Sequence, residues 1–442
     1  MLQNLTEEQI VQLAPDAASV KAGKGLAVKS KWPLLHFSQR AVWGHCQGSG
    51  KNPYQTVVDM NEIAFRCSCP SRKFPCKHGL GLLLLYAAHP ELFSSEEEPD
   101  WVSEWLSKRE AKAEKKEQKA KSDKPVDEEA QARRAASRHK KVLDGIDDLQ
   151  IWIKDLLRNG LLNVPERAYS LFDNIARRMI DAQATGLANR LRAIQEIDFY
   201  KESWKYILTD RLSKLYLLSE SYRHIDAQPE DWKWEIRTQI GYPQSKEEVL
   251  AGEGVRDEWM VVHRRVSDQN GVRMSAYWLY GKESRRFAVY LDFTAPGKLP
   301  DFNLLPGSTY SAEICYYKGV AQIRGLLRDY SPSDNRFIPE FCHDLDEATS
   351  LYRKTMRENP FVEEIPMLVD NLRIASKGKD LYLLDAAGKA VVAEVDDAIK
   401  TDILAITGGK PFSVFILAGN VVWQLKSIWS ESEFYSWKDE IN

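Results

Sequence analysis

Three of the chain's six cysteines and one of its eight histidines fall within twelve residues, inside the stretch FRCSCPSRKFPCKHGLGLLLLYAAHP. No other feature limits the possible local folds as tightly. Cys67 and Cys69 are two apart, so on a strand both side chains leave the same face. Six residues, PSRKFP, then turn the chain back to Cys76-Lys77-His78. Positions i and i+2 in mid-helix do not share a face. Cys76 and His78 therefore converge only where a turn enters a helix, and Pro75 suits such an entry. The expected arrangement takes two ligands from a strand end and two from a helix start, closing a Cys₃His tetrahedron. The apolar run that follows, residues 80–86, reads as a buried helix that anchors the turn.

Three thiolates and one imidazole suit zinc and leave no open coordination position. Cys67, Cys69, Cys76 and His78 are thus expected to hold one structural Zn²⁺. Six cysteines in 442 residues form no disulfide framework. Cys46, Cys315 and Cys342 are scattered and read as small buried hydrophobes, and His45-Cys46 reads as part of a hairpin rather than as extra ligands. Arg72, Lys73 and Lys77 lie close enough to offset the surplus thiolate charge. Loss of the metal is expected to unfold the module, because its remaining core reads as thin. The turn 70–75 is expected to be exposed, holding out Arg72, Lys73 and Phe74.

The pattern C-x-C, variable gap, C-x-H resembles the SWIM zinc finger. The stretches WGHCQGSGKNPYQTVVD and CSCPSRKFPCKHGLGLLLL are similar to bacterial stand-alone SWIM zinc finger proteins. The resemblance spans about residues 40 to 90. It implies zinc on the same four residues and a small strand-and-helix unit that binds DNA or other proteins. It also implies, as partners, a MoxR-type ATPase or a von Willebrand A-domain protein, and hence an adaptor role in an ATPase-associated assembly.

Beyond the motif the pattern changes several times. Thr6-Glu7-Glu8-Gln9 has capping-box spacing and opens a short helix ended by Pro15. YQTVVDM and IAFRCSC alternate as a small antiparallel hairpin. Residues 94–141 are rich in Lys, Glu and Ala, with almost no apolar stripe after Leu106, and read as a charged linker or solvated helix. From 142 to 228 apolar residues recur every three or four positions, among them Leu149, Ile153 and Leu156, then Ala168, Phe172, Ile175 and Met179, which predicts a helical bundle. From 229 to 442 the period is mainly two. EWMVVHRRV and RMSAYWLYG flank an Asn-Gly turn, and a meander follows Pro366. No internal repeat stands out. The expected fold class is α+β multidomain: a small zinc-bound ββα-like module within residues 1–93, a central bundle, and a mainly antiparallel β region in two subdomains, about 250–345 and 366–442.

Function classes narrow accordingly. Net charge is -3, yet residues 20–78 carry +8 and the remainder -11, which hints at a polyanionic partner for the module. Lys51, Arg66, Arg72, Lys73, Phe74 and Lys77 are the candidate contacts to nucleic acid or a partner. Near-misses to phosphate loops, GKGLAVKS and GHCQGSGKN, lack the required glycine spacing. No metalloprotease or serine-hydrolase signature occurs, so no enzyme is expected. The opening MLQNLTEEQIVQLAP has no basic stretch leading into an apolar one, and the longest apolar run is too short to cross a bilayer, so the expectation is a cytoplasmic protein. The leading expectation is a zinc-binding protein-interaction adaptor. The alternatives are DNA binding by the basic module and an uncharacterised enzyme in the β region.

Overall fold

The structure is a computed structural model describing residues 5–47, 52–61, 63–71, 73–119, 128–269, 272–294, 303–378 and 380–441. Lys51, Arg72 and the Asn270-Gly271 turn lie outside the described residues.

The N-terminal module is a five-stranded sheet in the order β4-β3-β2-β1-β5. Its strands are β1 (Leu34–Phe37), β2 (Ala41–Cys46), β3 (Tyr54–Asp59), β4 (Ala64–Cys67) and the two-residue β5 (Ser94–Ser95). Helix Lys77–Ala88 packs on one face, burying every residue from His78 to Leu85. Around that helix close Ile10, Leu13, Trp32, Phe65 and Phe93. Thr6 caps helix Glu7–Gln12 in a reciprocal capping box with Gln9, as its spacing predicts. The core is therefore not thin. Residues upstream of the hairpin wrap the helix, a long-range event that the motif itself does not encode.

The other face of the sheet is covered by helix Asp100–Lys119. Val102 and Leu106 are buried on Ala41, Trp43 and Val57, with Trp101 and Trp105 beside them. The start of the expected linker is thus a packed element. Helix Glu128–Asn159 carries the basic cluster RRAASRHKK directly into the bundle, where Val142, Ile146 and Leu149 are fully buried. Four further helices complete that core, Val164–Asp181, Thr185–Ala193, Trp204–Arg223 and Glu230–Ile240. The last one buries Ile236 and Ile240 in it, so the bundle runs past residue 228.

The β region forms two barrels. In the first, β6 (Gly254–Gln269), β7 (Val272–Gly281), β8 (Phe287–Thr294), β9 (Thr309–Tyr316) and β10 (Gly325–Ser333) pair in the order β10-β9-β6-β7-β8. A parallel bridge from Val289 to Arg324 joins the ends. In the second, β11 (Ile365–Lys377), β12 (Asp380–Leu384), β13 (Ala390–Glu394), β14 (Phe412–Ala418) and β15 (Trp423–Ser430) pair in the same way, and β13 closes on β15 in parallel. The first strand of each barrel is long and serves two neighbours in turn. Each is broken by a register shift, at Val261/His263 in β6 and at Val369/Leu372 in β11, where the strand bends to stay in the barrel wall. The two barrels share one connectivity although no sequence repeat announces it. Trp259, Tyr277 and Tyr310 fill the first. Met367, Leu383 and Val414 fill the second, with Ile403 of helix Asp397–Thr407 buried among them. Outward residues Val262, Trp278 and Tyr280 of the first pack on Leu368, Phe415 and Trp429 of the second. Two short strands finish the chain. β16 (Glu433–Ser436) pairs with β15, and β17 (Asp439–Ile441) lies parallel on β6.

Candidate metal centre

Strand β4 ends at Cys67, and Cys69 follows two residues on. Cys76 is the N-cap of helix Lys77–Ala88, which places His78 in the first turn. The strand-end and helix-entry arrangement expected from spacing is the one the chain adopts. One ligand atom from each of Cys67, Cys69, Cys76 and His78 lies within 4.8 Å of the others. His78 turns Nδ1 toward the sulfurs, 3.7 Å from Cys67 Sγ and 4.0 Å from Cys76 Sγ. Zinc bonds of about 2.0–2.3 Å in a tetrahedron give donor separations of roughly 3.4–3.8 Å. The four donors fit one Zn²⁺ with a small contraction, and their number completes its shell.

Electrostatics argue for a cation at this point. The Cys76 thiol hydrogen-bonds to Cys67 and lowers the Cys67 pKa; His78 and Thr56 act in the same direction against burial. The same bond, with burial, raises Cys76, and burial raises Cys69. The three crowded sulfurs thus oppose one another's ionisation. A dication makes all three thiolates favourable. The backbone N–H of Gly79 donates to Cys76 Sγ at 3.5 Å, so the helix start also supports the charge.

Two neighbours of the site were not singled out by spacing. Thr56 Oγ1 lies 3.3 Å from Cys67 Sγ, and the Tyr54 ring packs at a tilt against His78 with centroids 4.8 Å apart. The signal for Thr56 is the hairpin register, which pairs it with Cys67. Cys46, buried next to Tyr54 in register, stays outside the cluster, and burial pushes its thiol up to about 11.

The candidate contact residues divide. Phe74 is half-buried rather than held out. Its ring meets Phe65 edge-on at 6.0 Å and joins the module core, because an apolar ring beside a buried helix gains more from packing than from exposure. Lys73 is exposed but pairs with Asp16 at 2.6 Å. Arg66 donates to the Trp101 carbonyl at 3.3 Å. Lys77 is exposed and has no ion pair among the described residues. The module is also tied to the first barrel. Gln9 donates to the Pro306 carbonyl and Ser308 Oγ, Asn303 donates to the Ile63 carbonyl, and Leu305 sits in the module core.

Among the described residues no helix is long and apolar enough to cross a membrane. Comparison with protein families matches the SWIM zinc finger at residues 54–87 and the SWIM-associated four-helix bundle domain at residues 137–240. No curated protein and no solved structure matches the chain significantly. The chain thus carries a SWIM zinc finger whose four donors converge, together with the bundle domain that is associated with that finger.

Proposed function

We propose that this chain is a non-catalytic protein-interaction adaptor in which zinc is architectural and the body, bundle and barrels together, docks a protein partner. The observation that carries the reading is that several of the finger's candidate contact residues are engaged within the molecule. Phe74 packs inward, Lys73 is held by Asp16, Arg66 is held by the helix that covers the sheet, and residues 303–308 seat the module on the first barrel. A closed four-donor site offers no position for substrate or water. The finger therefore joins parts of the chain, and although Lys77 stays exposed the wider surface for a partner belongs to the larger body. An ATPase-associated assembly is the context that the family resemblance suggests.

The test is capture of tagged protein from cells, with and without nuclease. A protein that co-purifies stoichiometrically and survives nuclease supports the adaptor reading. Recovery of nucleic acid, with loss of every partner after digestion, overturns it in favour of the basic residues of the module.

A further inference from the structure

Both barrels follow the strand order 1-2-3-5-4-1, that of the OB-fold, in which the face of the second and third strands and the loops beside it take up oligonucleotides and oligosaccharides. In the first barrel part of that face is covered by the second. The rest is the floor of a cleft of about 1770 Å³, walled by the helical bundle and by the second barrel. The register shift in β6 sets the floor. His263, Arg265 and Ser267 line the cleft with Met274 and Trp278 of β7 and Leu291 of β8. The cleft exceeds the roughly 300–1,000 Å³ of small-molecule pockets, which favours a polymer segment.

The chemistry of the floor says which polymer. Strand β17 lies parallel on β6, with Asp439 opposite Arg265 and Ile441 opposite Ser267. Three donors converge on one carboxylate oxygen of Asp439: His263 Nε2 at 2.9 Å, Arg265 Nε at 3.0 Å and Lys426 Nζ at 2.8 Å. The floor thus already receives an extended backbone and a carboxylate side chain. The strand takes only part of that edge, pairing with β6 from Arg265 to Ser267.

We propose that this cleft binds an extended, acidic peptide segment of a protein partner, in the groove that the chain's own Asp439–Ile441 now occupies. The inference rests on the adaptor reading and names the surface that reading leaves open. The internal strand is short, three residues, and acts as an intramolecular competitor: main-chain pairing along β6 supplies affinity, and the three-donor pocket selects the carboxylate.

The test uses the zinc-loaded chain, full length and ending at Ser436, with a fluorescent peptide of residues 436–441 and a version with Asn in place of Asp439. By anisotropy, the shortened chain should bind the acidic peptide at least tenfold more tightly than the full chain does, and the Asn version should lose at least tenfold. A shortened chain with native near-UV circular dichroism that binds neither peptide, or both equally, overturns the proposal. If the shortened chain does not fold, full-length Asp439→Asn takes its place: it should gain peptide binding, and no gain overturns the proposal. A nuclease-resistant partner combined with no peptide binding defeats the cleft alone. Peptide binding with no cellular partner defeats the adaptor reading alone.

Discussion

The zinc module and the paired barrels solve the same problem in opposite ways. A small open sheet has edges, and the turn between Cys67 and Cys76 leaves the ladder altogether, so a metal pins what hydrogen bonds do not. The barrels need no pin. Each returns its last strand to its third, and the first strand bends to serve both sides. Metal therefore carries local order in the first region and closure carries it in the second, with residues 303–308 joining the two.

The largest effect expected from breaking that contrast is at the metal. Cys67→Ser with Cys76→Ser should take zinc from about one per chain to none. Because helix Lys77–Ala88 is held by Ile10, Trp32 and Phe93 as well as by the site, the loss should open residues 67–78 rather than the whole module. Hydrogen exchange should show fast amides there and unchanged protection in β6 and β11. Full zinc content in the double variant would disprove the ligand set. Fast exchange across both barrels would show that metal order reaches much further than the packing indicates.

The counterpart in the barrels is a core residue. Phe415 is fully buried where the barrels meet, against Phe287 and His263. Phe415→Ala should cost about 3–5 kcal/mol, read as a lower urea midpoint, and leave zinc content untouched. A midpoint within error of the parent would mean that the barrels do not stabilise each other.

A third effect is set by pH. His263 is wholly buried, and burial lowers its pKa to about 4; the hydrogen bond from Nε2 to Asp439 opposes the shift, and Lys426 and Arg265 add to it. The unfolded chain has an ordinary histidine near 6.5, so between pH 6.5 and 4 it binds more protons than the folded one. Stability is complete above the unfolded value and falls as pH drops through that window, by about 3 kcal/mol at the lower end. Asp439, held far below the usual carboxylate range, stays charged in the folded chain, and its own contribution to the slope enters only as pH nears the ordinary carboxylate value at the lower end of the window. Denaturation at pH 7 and pH 4.5 should show the loss, and His263→Gln should flatten it. An equal slope in both proteins would assign the pH dependence elsewhere.

Local features were legible in the sequence and distant pairings were not. The capping box at Thr6, the hairpin of β3 and β4, the helix entry at Cys76 and the ligand set all depend on residues within about fifteen positions of one another. The alternation that marked β6 and β7 is likewise local. Barrel closure joins Ala393 to Trp423 across an intervening helix, and module docking joins Gln9 to Pro306 across most of the chain. No period reports such contacts. The inward turn of Phe74 was hidden for the same reason. Basic neighbours suggest a recognition loop, whereas its environment is set by Phe65 and the helix behind it.

Two glycines in the metal helix test the smallest step of the comparison, because they mark where the module relies on packing rather than on zinc. A Cβ at Gly79 would meet the Phe65 ring at 2.8 Å, and one at Gly81 would meet Leu26 Cβ at 2.8 Å and the Gly23 carbonyl at 3.1 Å. The end of helix Ala17–Lys24 and the turn after it pass so closely at Gly81 that a Cβ and backbone atoms, not the far end of a flexible side chain, are in the way. In an open helix Gly→Ala is favourable by about 0.8–1.0 kcal/mol. Here overpacking should outweigh it and leave Gly81→Ala destabilised by about 1–3 kcal/mol. Zinc affinity should hold, since the ligands precede the crossing. Metal titration and thermal melting of the same variant separate the two contributions: a lower melting temperature with unchanged zinc affinity places the crossing outside the metal's reach. A gain in stability would show instead that the two helices separate easily and that zinc, more than the core, holds the module closed.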